Sequence, residues 1–584
     1  MRRPTIKNSV FSCAFLALTI LVLTACRPST SPQETVVQAR QPGTRGGRLV
    51  VADRGTPSTF NFLHAGDSVS SSIASFLMTS HLVELDHDTQ QFVPGLAESW
   101  QASNEGKTIT VKLREGLKFS DGAPLTTDDV LFTLTVATDE KSGSLFRENY
   151  FVGGKPMQAT KLDDWTIKFD LPRAAASIES LFSIFGVLPR HKLAAIYAKG
   201  EFNKAWGINT TPAELAVTGA FTVKEFVSGQ RTILVRNPHY WKKDKAGIQL
   251  PYLDELVIEA IPDANTALLK FQQGEVDLMD NIAPASYASL KQQTPAGISV
   301  RDYGASMLTD FLWFNLNDGK DATGKPLVDA AKRPIFSEVK FRQAIAHALD
   351  RPTMIQNVLR GLGAPLTGII SPSNKRWASN DLAKYDFDLQ QAKDLLKEAG
   401  FQLRDNALVD KAGQPLEFTL IVDESVAVRK TMATIIQEDL AKLGIKVNIA
   451  PLEKNAFNEM IQKKFSYEAA IHGYAATDTD PSTPLMGLKT GGAQRYWFMN
   501  EKQAQAEWEK NFDRLADEQD TTTDAALRKQ KLEEAQKIFV AQLPMIPLVV
   551  RNFASGAKSN LGNYRPSVIL PRSLWNAEEL FWKK

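Results

Sequence analysis

LAESWQASNEGKTITVKLREGLKFSDGAPLTTDDVLFTL, residues 96–134, is the stretch on which the fold turns. Ile109, Val111 and Leu113 alternate with Thr108, Thr110 and Lys112. A period of two is that of a strand with one buried face. Phe119 follows, then Ser120-Asp121-Gly122, residues that favour a turn. Thr126 or Thr127 then caps a helix beginning near Asp128-Asp129, acids favoured by the positive end of the helix dipole. The section from Gln91 to Thr135 is therefore β-rich and closes on a helix.

Outside this section the pattern changes to helix, glycine, strand. Leu256–Ala260 reads as a strand; Asp263 caps ANTALLKFQQ; Gly274 ends that helix and Val276–Leu278 reads as the next strand. Met432, Ile435, Ile436, Leu440 and Leu443 fall at helical spacing. Gly444 closes that helix, as only glycine takes positive φ cheaply, and Ile445, Val447 and Ile449 alternate as a strand. Leu389, Ala392, Leu395, Leu396 and Ala399 mark another helix, closed by Gly400. Repeated units of this kind build α/β sheets flanked by helices. At about 150 residues per domain, a chain of 584 residues suggests three or four units. Composition of 43% hydrophobic and 23% charged residues is that of an ordinary globular body. Charge is near balance, with no long basic run, which argues against nucleic acid as the partner.

The N-terminus reads as an address. Arg2, Arg3 and Lys7 precede an almost wholly apolar run from Val10 to Leu23, the length of a signal-peptide core and short for a membrane span. Leu23-Thr24-Ala25-Cys26 ends it and resembles a bacterial lipobox, in which Cys26 is acylated after cleavage. Cys13 lies in the removed part, so Cys26 is the only cysteine left and has no internal disulfide partner. The expectation is a signal peptide over 1–25 and a flexible lipid-anchored tether over 26–45, rich in Pro, Ser, Thr and Gly. The body would then sit outside the cytoplasm, on the periplasmic face of a membrane or the cell surface.

Several short patterns suggest chemistry and do not sustain it. Gly319 to Lys325 has P-loop spacing, but Pro326 stands where that loop needs a magnesium-binding hydroxyl, so a hairpin or surface loop is expected. Ser337-Glu-Val-Lys340 and Lys489-Thr490-Gly491 echo two penicillin-recognition motifs without the third. The seven histidines show no zinc-helix spacing; His472, beside Gly473-Tyr474, is the one adjoining a candidate site. Asp478-Thr-Asp480 begins like a calcium loop, but Pro481 follows and the loop's glycine and glutamate are missing. No enzyme, cofactor or metal site is expected.

The block at 96–134 resembles the signature of the family 5 extracellular solute-binding proteins, the dipeptide, oligopeptide and nickel binding components of ABC importers. The similarity continues in order through LPRHKL (188–193), TGAFTVKEF (218–226), NPHYW (237–241), LDELVIEAIPDANTALLKFQQGEVDLM (253–279), FNLN (314–317), VKFRQAIAHALDR (339–351), KDLLKEAGF (393–401) and LPMIPLV (543–549). The resemblance implies a two-lobed α/β fold of the periplasmic-binding-protein type II class, with an extra β-rich subdomain in lobe I. It implies lobe I over 46–85, 205–300 and 535–584, the subdomain over 86–204, and lobe II over 301–534. The partners it implies are a peptide or other small solute, an ABC permease with its ATPase, and a membrane through the lipid anchor, the binding protein itself being a monomer.

GYAATDTDP, residues 473–481, then reads as one wall of the cleft. In peptide-binding members an aspartate three residues after the aromatic pairs with the ligand's α-amino group. Here Tyr474 is the aromatic and the amine-pairing position is Thr477, with Asp478 one residue late. A hydroxyl supplies no counter-charge, and an unpaired buried charge costs about 3–5 kcal/mol. Either Asp478 or another acid takes the amine, or the ligand has none there. Asp480-Pro481 is expected to fix the loop as a turn. FNLN offers a second wall: Asn315 near ligand backbone, and Trp313 either stacking on ligand or packing in a lobe. The expected cargo is an oligopeptide-like solute. The alternatives are an oligosaccharide, opine-like compound or metal chelate in the same transport role, or a surface sensor or adhesion protein without transport.

Overall fold

The computed structural model describes residues 41–475 and 479–584. Cys26, Thr477 and Asp478 lie outside the described residues.

Local signals produce the elements they predict. In Thr108–Leu113, Ile109, Val111 and Leu113 are fully buried, and the strand sits second in a four-stranded antiparallel sheet. Thr126 is the residue that caps helix Thr127–Thr138; Asp129 closes the box, accepting from the Thr126 N–H at 2.9 Å. Asp263 caps Ala264–Gln273, which ends at left-handed Gly274. The strand after it is Leu278–Met279, shorter and later than the sequence suggests. Gly444, at φ +79°, follows helix Ala427–Ala441 and precedes strand Lys446–Leu452. A Cβ at Gly444 would come within 2.7 Å of the Leu408 nitrogen, so space as well as φ demands glycine. The P-loop-like segment is a surface turn, with Asp321 accepting from the N–H groups of Thr323 and Lys325.

One eleven-stranded mixed sheet organises the molecule. Its path runs Phe221–Val227, Arg231–Arg236, Glu255–Ala260, Arg48–Asp53, Leu278–Met279, Ile546–Lys558, Ile298–Phe314, Ala469–Ala475, Glu417–Asp423, Lys446–Leu452, with Gly363–Pro365 beside Ile546–Lys558. The two long strands, Ile298–Phe314 and Ile546–Lys558, are antiparallel and pass from one half to the other. Their register slips three times between Asp302 and Phe311. Irregularities of this kind bend a strand and increase its twist, so the crossing is where the two halves change direction.

The cores follow the halves. The first packs Leu49, Leu256 and Phe581 together with Ile109, Phe169 and Phe185, so the β-rich section shares one core with the lobe it adorns. The second lobe buries both faces of its sheet. Leu312 and Phe314 face a core with Phe418, Met432 and Leu548, while Phe311 and Trp313 face another with Tyr467, Trp497 and Phe539. That split is the strand's period of two made visible.

Two expected boundaries move. Helix Ala525–Gln542 buries Leu532, Ala535 and Phe539 in a second-lobe core, so a division at 535 would cut it; the chain returns only with strand Ile546–Lys558. Residues 41–45, expected to be tether, are docked on the first lobe. Gln41 exchanges two hydrogen bonds with the Asn563 side chain, and Gly43 lies so close to the Tyr252 ring that a Cβ would sit 2.5 Å away.

Candidate functional site

Strand Ala469–Ala475 pairs with Ile298–Phe314, placing Gly473 opposite Asp310 and Tyr474 opposite Thr309. Asp310 is fully buried and holds two cations. Arg429 Nε donates to it at 2.8 Å, and Arg551 donates at 2.7 and 2.9 Å. A Cβ on Gly473 would lie 2.4 Å from Arg429 Nη2 and 2.6 Å from the Thr309 carbonyl oxygen. Glycine is thus required by the ion cluster beneath it. His472 packs against Phe457 and Tyr496. Burial, with Arg429 nearby, pushes its pKa down to about 4, so it is neutral at pH 7.

Tyr474 is fixed on several sides. Its ring stacks on Tyr496 at 5.7 Å and meets Phe311 edge-on at 5.6 Å; its hydroxyl donates to the Gln494 carbonyl at 2.6 Å. Burial holds the phenol well above its ordinary pKa. Trp313 stacks on the same Tyr496 ring at 5.5 Å and donates to Tyr467 Oη at 2.9 Å. It is fully buried. Asn315 is fully buried too, and its amide is spent inside the protein. Nδ2 donates to the carbonyls of Phe465 and Tyr467, both at 2.8 Å, while Oδ1 accepts from Asn317. In this arrangement neither Trp313 nor Asn315 reaches the cavity that Tyr474 lines.

The far stem of the loop is equally anchored. Asp480 receives two parallel hydrogen bonds from buried Arg528, at 2.9 and 2.6 Å, and accepts from the Ser482 N–H. Arg528 lies over the Trp377 ring at 4.9 Å. Asn374 Nδ2 donates to the Thr479 carbonyl at 2.9 Å. Asp480 therefore has the structural role expected of it.

Two adjoining cavities share Asp480 and Thr483. The larger, about 560 Å³, lies between the lobes, with Phe62, Phe76, Phe146 and Tyr150 on the first-lobe side and Ser482, Met486 and Asp520 on the other. The smaller, about 260 Å³, runs into the second lobe past Tyr474. Among the described residues, three carboxylates line the larger cavity and each faces an arginine: Glu148 faces Arg147 at 2.9 Å, Asp480 faces Arg528, and Asp520 faces Arg173. His81 also lines it; burial, aided by Lys242, lowers its pKa to about 4. Among the described residues, no cluster of three metal-ligating side chains occurs. No helix among them is long and apolar enough to cross a membrane.

The lobes touch at two rims. On one, Gln90 from the hairpin Val83–Asp86/Gln91–Pro94 donates to the Ser373 carbonyl at 2.8 Å and accepts from the Lys375 N–H at 2.9 Å. On the other, Arg173 pairs with Asp520, whose carbonyl also accepts from the Ala176 N–H at 3.0 Å. Gln90, the first-lobe aromatics and the 369–374 loop are absent from the sequence-based expectations. They come from distant segments with no shared local pattern.

Comparison with known proteins supports the same picture. The pattern of the bacterial extracellular solute-binding proteins, family 5 Middle, matches residues 91–496. A probable ABC transporter-binding protein of Deinococcus radiodurans is 34% identical over 408 residues, covering 67% of this chain and 66% of that protein. The oligopeptide-binding protein AppA of Bacillus subtilis is 26% identical over 545 residues, 88% of this chain and 93% of that protein. Its solved structure, in complex with a nonapeptide, matches with a TM-score of 0.69 at 25% identity, covering 93% of this chain and all of that one. NikA of Brucella suis, solved with Fe(III)-EDTA, matches with a TM-score of 0.76 at 22% identity, covering 92% of this chain and all of that one, a likeness of fold.

Proposed function

The chain belongs to the bacterial extracellular solute-binding proteins of family 5, and on that premise we propose that it captures an oligopeptide-like ligand between its lobes and delivers it to an ABC permease with its ATPase. The observation that carries this reading is the interlobe cavity, about 560 Å³, with the lobes in contact on two rims. Closure of two lobes around a ligand is a recurrent binding device, and only a ligand favouring the closed form can drive it.

Tyr474 supplies the wall and Thr477 and Asp478 follow it in sequence, ahead of Thr479 and Asp480, which are held by Asn374 and Arg528. Trp313 acts through Tyr496 as a positioning residue for Tyr474. Asn315 fixes the backbone at Phe465 and Tyr467 beneath them. Every carboxylate on the described wall of the larger cavity already faces an arginine, so a ligand α-amino group is left to Asp478. A second reading, a solute without an α-amino group, rests on that same pairing and on Thr477. Cys26 anchors the protein by lipid outside the cytoplasm, a reading supported by the lipobox-like Leu23-Thr24-Ala25-Cys26.

The test is native mass spectrometry of residues 27–584, followed by denaturation and identification of what is released. A set of short peptides is the expected result. One non-peptide mass would replace the peptide reading with the second one.

A further inference from the structure

The smaller cavity is built differently from the larger one. Its wall is largely apolar, with Met307, Phe311, Ile369, Ile370, Leu488 and Met545 among its residues. Several of the polar groups around it are bonded within the protein. Ser371 Oγ donates to the Ser306 carbonyl at 2.7 Å, and Asn374 Nδ2 donates to the Thr479 carbonyl at 2.9 Å. Tyr474 Oη donates to Gln494, and the Asp480 carboxylate holds Arg528. A charged group entering here would leave water for a wall that offers it few partners, the Thr483 hydroxyl and the Gln494 amide, which is costly. An apolar cavity of roughly 150 Å³ stays dry and takes benzene; at about 260 Å³ this one has room for an indole or a branched aliphatic side chain.

Resting on the solute-binding reading above, the geometry points to this annex as a specificity pocket: the ligand must carry one bulky apolar side chain, which seats against Met307, Ile370 and Met545 while its remainder lies between the lobes. The annex meets the interlobe cavity at Asp480 and Thr483. One ligand therefore spans both spaces. Selectivity resides in the annex, because the larger cavity is mixed in character.

The test uses the chain from residue 27 and tetra-alanine, with leucine, phenylalanine, lysine or glutamate substituted at each position in turn, and titration calorimetry as readout. At one position only, leucine or phenylalanine should bind at least about tenfold more tightly than alanine, the discrimination a methylene commands in an apolar pocket. Lysine and glutamate there should bind more weakly than alanine. Ile369 sits on the half-buried loop edge of the annex, so Ile369→Asp should abolish the leucine-to-alanine ratio, and Ile369→Trp should fill the space and do the same. Peptides that bind with equal affinity whatever their side chains would overturn the annex and leave peptide binding standing. If no peptide binds, indole is the second probe. Thermal stabilisation of the wild type but not of Ile369→Asp by indole would support the annex while refuting the peptide reading. No response to indole either would overturn both.

Discussion

Gln90→Ala should loosen the closed cleft without unfolding either lobe. Gln90 is 4% exposed and makes both of its interlobe bonds to backbone, donating to Ser373 and accepting from Lys375. In an open form those groups return to water, so each bond is worth only its net value, about 0.5–1.5 kcal/mol. Losing two removes roughly 1–3 kcal/mol from closure, a factor of about 5–150 in the closed-to-open ratio. The backbone does not confuse the result. Gln90 sits at φ +56°, and alanine meets that conformation at a cost similar to glutamine, whereas glycine would relieve it. Ligand leaves through the open form, so the loss belongs mainly in the dissociation rate. Stopped-flow dissociation of the ligand recovered with the protein, followed by intrinsic tryptophan fluorescence, measures it. The apo melting temperature should stay close to wild type. A dissociation rate within twofold of wild type in a folded variant would show that this rim contributes nothing to closure.

Four further outcomes are expected. Asp480→Asn strands buried Arg528 and should cost about 3–5 kcal/mol in urea unfolding of the second lobe; a loss below about 1 kcal/mol, typical of exposed pairs, would contradict its role as an anchor. Gly473→Ala places a methyl against Arg429 and the Thr309 carbonyl and should destabilise by about 1–3 kcal/mol as overpacking, read from the same curves. His81 and His472 have folded pKa values near 4, below the unfolded value, so the unfolded chain takes up more protons as pH falls from about 6.5 to 4. Stability should drop across that window, by up to about 3 kcal/mol per histidine, and His472→Gln should flatten the drop in melts taken at pH 4.5 and 7. Cys26→Ser should move the protein from the membrane fraction to the soluble fraction; full retention in the membrane would remove the lipobox.

What the sequence discloses is what local geometry decides. Thr126 with Asp129, Asp263 with Gly274, and Gly444 were readable because a cap involves residues within one turn. The alternation of faces along Phe311–Phe314 seen in the structure shows the limit, because alternation assigns faces and not neighbours. Phe311 and Trp313 share a face, yet Phe311 lines the cavity while Trp313 is stacked on Tyr496, a residue more than 180 positions later. Asn315 was misplaced for the same reason: its four amide bonds go to residues 465, 467 and 317, and only the folded chain shows that its donors and acceptor are spent. The first-lobe wall, the 369–374 loop and the Arg528 anchor left no local trace, since each is a long-range consequence of the crossing strands.

Charge and shape together narrow what the cleft accepts. The described carboxylates of the interlobe cavity are each matched by an arginine, so adding a ligand ammonium beside one of them gains little Coulomb energy and still strips it of water. The annex is mostly apolar, with the Arg528-paired Asp480 at its junction with the larger cavity, and offers apolar area to cover. At about 25 cal/mol per Å², seating a large aliphatic or aromatic side chain contributes about 1.5–3 kcal/mol, comparable to the closure energy assigned to the Gln90 rim. Binding and closure are then coupled through one short path. The group in the annex lies against Asn374 and Ser371, the neighbours of Ser373, whose carbonyl Gln90 grips from the other lobe. A ligand that fills the annex thus packs against the loop that Gln90 grips, and a ligand that leaves it empty does not. Gln90→Ala should accordingly reduce affinity for leucine-bearing and all-alanine peptides by different factors, the larger loss falling on the leucine peptide; equal factors would mean that the annex and the rim act independently.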